Sequence, residues 1–289
     1  MPQKDETVKK YDKIVQARPF LKWAGGKRKL LPELLERIPE KFECYHEPFL
    51  GGGSLFFALG PKKAILSDVN PDLVYTYTAV RDNVERVILL LRELVAARET
   101  QGHLVHYLKV RKQQRSSLTE CAIAARMIYL NKTCFNGLWR VNKKGEFNVP
   151  IGKSKSPPTI CDEENLRACS TALQGTKILC ASFETVVWRE MGRGDFVYFD
   201  PPYVPVNVGG TKSFTAYTKE GFGPTEQKKL AGIMGVLKNA KHANVLLSNA
   251  GSEKVRDLYA GFKIEEVGMR RNINCKGGER DEVLEYLIS

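Results

Sequence analysis

The sequence predicts an α/β fold, a doubly wound and mostly parallel sheet interrupted by a mainly helical insertion. Three observations predict it. First, apolar runs of strand length close on a carboxylate and then turn or give way to helical periodicity. This happens in "YHEPFLGGGSLFFALG" (45–60), "KKAILSDVNPDLVYTYTAV" (62–80) and "GDFVYFDPPY" (194–203). Parallel strands are buried on both faces and need crossover helices, so this rhythm is their signature. Second, the rhythm stops near residue 72 and returns near residue 171. Third, the chain between those points is largely helical in period and unusually basic. The expected organisation is one domain made of residues 1–71 and 171–289, with residues 72–170 inserted into it.

Element by element, "FLKWAGGKRKLLPELLERIP" reads as an extended entry, a Gly-Gly turn and an amphipathic helix. Leu30, Leu31, Leu34, Leu35 and Ile38 carry the helical period, and Pro39 is its stop signal. A strand ends at Glu47, glycines 51–53 form a loop, and a helix begins near Ser54. The next strand ends at Asp68, and Asn70-Pro71 opens the following helix. From Asn83 to Gln114 the pattern is helical and charged, and "SLTECAIAARMIYLNK" is a further helix. At "TCFNGLWRVNKKGEFNVPIGKSKSPP" the period breaks. Its turn signals, Asn136-Gly137 and Lys144-Gly145, predict a loop and β-hairpin. Strands resume in "TKILCASF" and "GDFVYFDPPY". A glycine-rich stretch without periodicity follows, and then a helix with Thr225 as N-cap and Glu226 in its first turn. "ANVLLSNA", "FKIEEVGMRR" and "EVLEYLIS" are the last strands.

Composition narrows the function classes. No apolar run approaches the roughly 20 residues of a membrane span, and the polar start lacks a secretory core, which points to the cytosol. The seven cysteines (Cys44, Cys121, Cys134, Cys161, Cys169, Cys180 and Cys275) form no CxxC, and only four histidines are present. That pattern speaks for reduced thiols and against a metal centre. The net charge of +12 fits either a polyanionic partner or a merely soluble basic surface. Between Arg126 and Lys155, however, seven basic residues stand against one acid, Glu146, with Phe135, Trp139 and Phe147 interleaved. Such a mixture has the look of a nucleic-acid-facing surface.

Two constellations carry chemistry. Glycines after a strand and before a helix let backbone approach a ligand, although a purely structural turn has the same appearance. Asp68 at the next strand end adds an acceptor for two ribose hydroxyls, so the pair points to a nucleoside cofactor. "WAGGKRK" is not a phosphate-binding P-loop, because no Ser or Thr follows Lys27. The second constellation is Asp200-Pro201-Pro202-Tyr203. An amine conjugated to an aromatic ring is a poor nucleophile because its lone pair is delocalised. Two acceptors on its N–H bonds, the Asp200 carboxylate and the Pro201 carbonyl, would localise that pair, and Tyr203 would stack on the ring. The plain alternative is a strand-ending turn with a packed tyrosine.

"FLKWAGGK", "EPFLGGGS", "LSDVN", "FNGLWRVN", "GEFNVP" and "FDPPY" occur in this order from Phe20 onward. In this the chain resembles the Dam-like (D12 class, alpha-group) adenine-N6 DNA methyltransferases. The resemblance implies a Rossmann-like sheet of the S-adenosyl-L-methionine-dependent (AdoMet-dependent) type, S-adenosyl-L-homocysteine as product and a double-stranded DNA substrate, with GATC the expected site. It further implies a prokaryotic or phage enzyme that acts as a monomer, with room for a cognate restriction endonuclease as partner. Trp23 and Lys27 are implied at the cofactor, with Lys27 a partner for its methionine carboxylate, Glu47, Pro48, Phe49, Gly51 and Gly53 around its methionine portion, and Asp68 at its ribose. Ser182 and Phe183 fall at its adenine. Asp200, itself also a cofactor neighbour, would grip a flipped-out target adenine together with Pro201, Pro202 and Tyr203.

In the insertion, Phe135 and Leu138 match the hairpin residues that wedge into the base stack, and Asn136 is a further implied DNA contact. Arg140 matches a guanine reader, Lys22 a base contact, Asn148 and Pro150 further DNA contacts, and Lys153 a phosphate contact. Arg270 and Arg271 fall where the backbone is met. Phe135 lacks the hydroxyl that some relatives carry, and the 204–214 stretch is more glycine-rich than the family pattern. A cytosine-C5 enzyme would need a Pro-Cys nucleophile, and none exists here. An RNA-base methyltransferase is the nearest enzymatic rival. A dehydrogenase leaves the tetrapeptide and the basic hairpin unexplained, and a non-catalytic DNA-binding module leaves Asp68 and Asp200 unexplained.

Overall fold

The structure, a computed structural model, describes residues 17–153, 158–203, 222–270 and 282–289. The 204–221 stretch, Lys155, Arg271 and Cys275 lie outside the described residues.

The strands are β1 (Tyr45–Glu47), β2 (Ala64–Asp68), β3 (Lys177–Cys180), β4 (Phe196–Phe199), β5 (Asn244–Ala250), β6 (Ile264–Arg270) and β7 (Glu282–Ile288). They form one sheet in the order β3-β2-β1-β4-β5-β7-β6. Neighbours from β3 to β5 are parallel, while β7 runs antiparallel to both β5 and β6. The strand order reverses between β1 and β4, which places a crevice at their carboxyl ends. Every residue of β1 and β4 is buried, as a central strand covered by helices on both faces requires.

The described helices are α1 (Leu31–Leu35), α2 (Ser54–Leu59), α3 (Pro71–Gln101), α4 (His103–Lys112), α5 (Glu120–Thr133), α6 (Glu163–Leu173), α7 (Phe183–Glu190), α8 (Pro224–Asn239) and α9 (Glu253–Leu258). Among the described residues no helix is long and apolar enough to cross a membrane. Helix α3 starts where Asn70 and Pro71 predict. The Asn70 side chain accepts from the Asp72 and Leu73 amides. It packs on β2 and β3, breaks its helical dihedrals at Asn83, and continues along α5. One helical segment thus runs from the sheet to the side of α5.

Several expectations are corrected. The Leu30–Ile38 period yields only a 3-10 turn (Lys27–Lys29) and the short α1, which ends before Pro39. Gly223, not Thr225, caps α8; Thr225 already lies inside the helix, while the Glu226 carboxylate accepts the Gly223 amide at 2.8 Å. The predicted hairpin exists as two isolated antiparallel bridges, Cys134 with Ile151 and Val141 with Phe147, rather than a continuous ladder. Part of the aromatic and basic interleaving faces inward, while Phe135, Arg140, Lys143, Lys144 and Lys153 are exposed. Trp139 and Phe147 are buried against each other, with ring centroids 4.7 Å apart. Arg126 is buried as well, donating to the Val110 and Arg111 carbonyls at the end of α4. Unsatisfied helix-end carbonyls and a core that needs rings explain these residues without any ligand.

Candidate active site

The acids that close β1, β2 and β4 all come to the carboxyl edge of the sheet, on the two sides of the reversal point. Asp68 ends β2, and the Gly51 and Asn70 amides hold one carboxylate oxygen each, at 3.2 and 2.9 Å. Burial pushes its carboxyl up to about 6 against those amides, which favour the ion. Glu47 is buried under the loop, accepting from the Tyr45 hydroxyl at 2.8 Å, and burial raises its carboxyl to about 8.

The glycine loop has a definite steric cause. Gly51 sits at φ +47°, and a Cβ there would stand 2.7 Å from Cδ1 of Trp23. The space that the glycines clear is taken by the indole, which lies half-buried against the loop. Ser182 caps α7 through the Thr185 amide, and the Phe183 ring stacks on Phe49 at 5.3 Å. A cleft of about 1240 Å³ has Phe49, Asn70, Ser182 and Phe183 on its wall and extends to Phe147 and Asn148 of the hairpin. Asp200 and Tyr203 are not on that wall.

Asp200 follows the last residue of β4. Lys27 reaches it at 2.7 Å, with its stem buried and a second bond to the Gly25 carbonyl at 2.8 Å. The same ammonium lies 4.4 Å from the centroid of the Tyr203 ring. Ser248 of β5 donates to Asp200 at 3.1 Å and shares a 2.8 Å bond with the Tyr198 hydroxyl. Burial raises the Asp200 carboxyl, and Lys27 and Ser248 oppose that rise. Tyr203 donates to Glu285 of β7 at 2.9 Å, and Gln227 of α8 donates to the Pro202 carbonyl at 3.0 Å. Asn249 in turn donates to the Gln227 carbonyl oxygen at 3.2 Å. The Asp-Pro-Pro-Tyr turn is thus held from β5, β7, α8 and the Lys27 loop at once.

Of the residues expected at DNA, Phe135 is exposed, Asn136 occupies a left-handed conformation (φ 53°), and Leu138 is packed on the core. Arg140 and Asn148 face each other, Nε donating to Oδ1 at 2.7 Å. The Pro150 carbonyl accepts the Phe135 amide at 2.9 Å, and Lys22 and Lys153 are exposed. Pro48 continues directly from β1 into the glycine loop. Four residues in this scaffold were not singled out by the sequence reading: Asn131, Gln227, Ser248 and Glu285. Two of them carry the signal that drew attention to Asp200, a polar side chain in an apolar run: Asn131 interrupts "MIYLNK" and Ser248 interrupts "VLLSNA". Gln227 stands in a polar run and is buried only by the packing of α8.

These residues fit a nucleoside cofactor. A carboxylate held by two amides stands next in the chain to Val69 and Asn70 of a cleft whose aromatic wall includes Phe49 and Phe183. A seven-stranded sheet with an antiparallel β7 and this acid-lined edge define the class, the AdoMet-dependent methyltransferases. Within it, the model of the D12 class N6 adenine-specific DNA methyltransferases matches residues 23–273, and the chain belongs to that family. A type II methyltransferase of Methanocaldococcus jannaschii is 42% identical over 291 residues, covering 95% of this chain and 99% of the relative. One of Lactococcus lactis subsp. cremoris is 39% identical over 281 residues, 95% and 96% of the two chains. The DNA adenine methylase of Escherichia coli (strain K12) is 37% identical over 273 residues, 93% and 94%. The chain is an adenine-N6 DNA methyltransferase that uses AdoMet and yields S-adenosyl-L-homocysteine.

Proposed function

We propose that this methyltransferase modifies a flipped-out adenine within a short duplex site, GATC by its motif resemblance, as the modification half of a restriction system. The observation that carries the reading is the Asp200 turn. A carboxylate fixed by Lys27 and Ser248 stands beside a tyrosine ring fixed by Glu285. Asp200 and the Pro201 carbonyl accept the two N–H bonds of the exocyclic amine and localise its lone pair. Tyr203 stacks on the base. Burial makes Asp200 a better base than an ordinary carboxylate, so it also suits the proton that the amine loses. When bound, AdoMet supplies the electrophilic methyl group. Asp68 would hold its ribose, Ser182 and Phe183 its adenine, and residues 47–53 with Trp23 its methionine portion.

Residues 72–170 serve as the target-recognition part. Extruding a base costs a few kcal/mol, and exposed Phe135 with Leu138 would fill the gap that it leaves. Arg140, aligned by Asn148, reads a guanine. Lys22, Asn136 and Pro150 approach the bases, and Lys153 meets a phosphate. Catalytic and recognition residues lie on one chain, so a monomer suffices. The type II names of the relatives from Lactococcus and Methanocaldococcus support the restriction setting. Sequencing unmethylated plasmid DNA after exposure to the purified enzyme tests the reading. N6-methyladenine confined to GATC supports it; scattered methylation, or a different single site, overturns the specificity assigned here.

A further inference from the structure

Asn131 stands near the end of α5, fully buried in an otherwise apolar run. Its amide makes three bonds to two separate parts of the chain. Oδ1 accepts the Lys22 amide at 2.8 Å, while Nδ2 donates to the Lys22 carbonyl at 2.7 Å and to the Gly137 carbonyl at 3.0 Å. Both backbone groups of Lys22 are therefore held by one side chain 109 residues away in sequence. Two-point pairing fixes the orientation of the Lys22 peptide units, and with it the direction in which the exposed side chain leaves the backbone.

The hairpin tip closes on the same spot from the other side. Gly137 lies at φ +65°, and a Cβ there would stand 2.5 Å from the Lys22 Cβ. The Lys22 stem rests where that Cβ would be. One residue further on, Trp23 packs on Gly51 and Gly52 of the cofactor loop. The Lys22-Trp23 dipeptide thus joins the hairpin tip to the cofactor loop, and Asn131 is its polar anchor.

We infer that Asn131 is a positioning residue for target readout: it sets where the Lys22 ammonium stands relative to the hairpin residues Phe135, Leu138 and Arg140. The inference rests on the reading that Lys22 and the hairpin meet DNA. A buried amide that only stabilised the fold would, when altered, lower melting temperature and activity on all sequences together. A positioning residue changes which sequences are methylated. Readout by base-edge contacts requires donor and acceptor within about 3 Å, so a shift of an ångström between two readers loses discrimination before it loses binding.

The test uses the full chain, unmethylated plasmid DNA and sequencing of N6-methyladenine at every adenine. The quantity read is the methylation ratio between the preferred site and sites that differ from it by one base. Asn131→Asp keeps the size and the acceptor but removes both donors. Gly137→Ala pushes on Lys22 and leaves the Asn131 amide intact. Each is expected to lower the ratio by about tenfold, the scale of one lost base contact, with cofactor affinity by calorimetry unchanged. An unchanged ratio in Asn131→Asp, with a fall in melting temperature alone, overturns the inference. If that variant does not fold, an unchanged ratio in Gly137→Ala does the same. Lys22→Ala is the control. A changed ratio there, with none in the other two, defeats the inference alone. An unchanged ratio in Lys22→Ala defeats the base-contact reading on which it stands.

Discussion

Lys27 Nζ lies 2.7 Å from Asp200 Oδ1, so a buried cation and the acid of the Asp-Pro-Pro-Tyr turn form one unit. Burial raises that carboxyl, and the ammonium opposes the rise, favouring the ionised, accepting form. Asp200→Asn is expected to lower single-turnover methyl transfer by about 10²–10³-fold, the usual cost of losing one preorganised polar group. Lys27→Met should move the acid limb of the pH–rate profile to higher pH, because the remaining carboxyl then protonates more readily. An acid limb that stays in place would show that the ion pair does not govern ionisation.

Asp68 predicts a pH dependence of cofactor affinity. Burial pushes its carboxyl up to about 6, and in the proposed ribose contact the ionised form is the better acceptor for two hydroxyls. Calorimetric affinity for AdoMet should be flat well above that value and weaken as pH falls through it. Asp68→Asn should bind more weakly and lose this limb.

Glu47 makes a statement about stability. Burial raises its carboxyl to about 8 from an ordinary 4.5. Between those values the folded protein holds a proton that the unfolded chain releases. Stability therefore falls as pH rises through the window, by at most about 1.4 kcal/mol per unit. Glu47→Gln removes the titration, and melting temperature should decline less from pH 5 to pH 8 than in the parent. An identical slope in both proteins would refute the assignment.

Arg140 and Asn148 make a separable pair. Arg140→Ala should reduce discrimination at one base position by about 1–3 kcal/mol in competition between duplexes. Asn148→Ala leaves the guanidinium in place but unaligned, and the loss should be smaller at the same position. Effects at different positions would separate the two residues.

Lys153 should act without sequence preference. Its replacement by Ala should weaken binding to all duplexes alike and reduce the slope of log affinity against log salt by about 0.9.

The carboxyl-edge acids were legible because each breaks a local rule. Asp200 closes a strand buried on both faces, and Asp68 and Glu47 close their strands in the same way. The strand-helix rhythm was legible for a similar reason: periodicity is local. The basic hairpin read less faithfully. Charge counts register residues but not directions, and Arg126, Trp139 and Phe147 turned inward to complete helix-end bonds and a small core. The short α1 and the Gly223 cap misread because apolar spacing does not mark where a helix stops.

By itself the sequence determined the α/β rhythm, the acids at the strand ends and the ordered motifs that mark the family, since all of these are properties of neighbours along the chain. Tertiary structure decided which groups complete the site. Ser248, Gln227 and Glu285 reach the Asp200 turn from 25 to 82 residues away in sequence, and Asn131 reaches Lys22 across 109. A hydrogen bond is a matter of a few tenths of an ångström and of direction. Only the packing of sheet on helix brings such distant polar groups to within that tolerance.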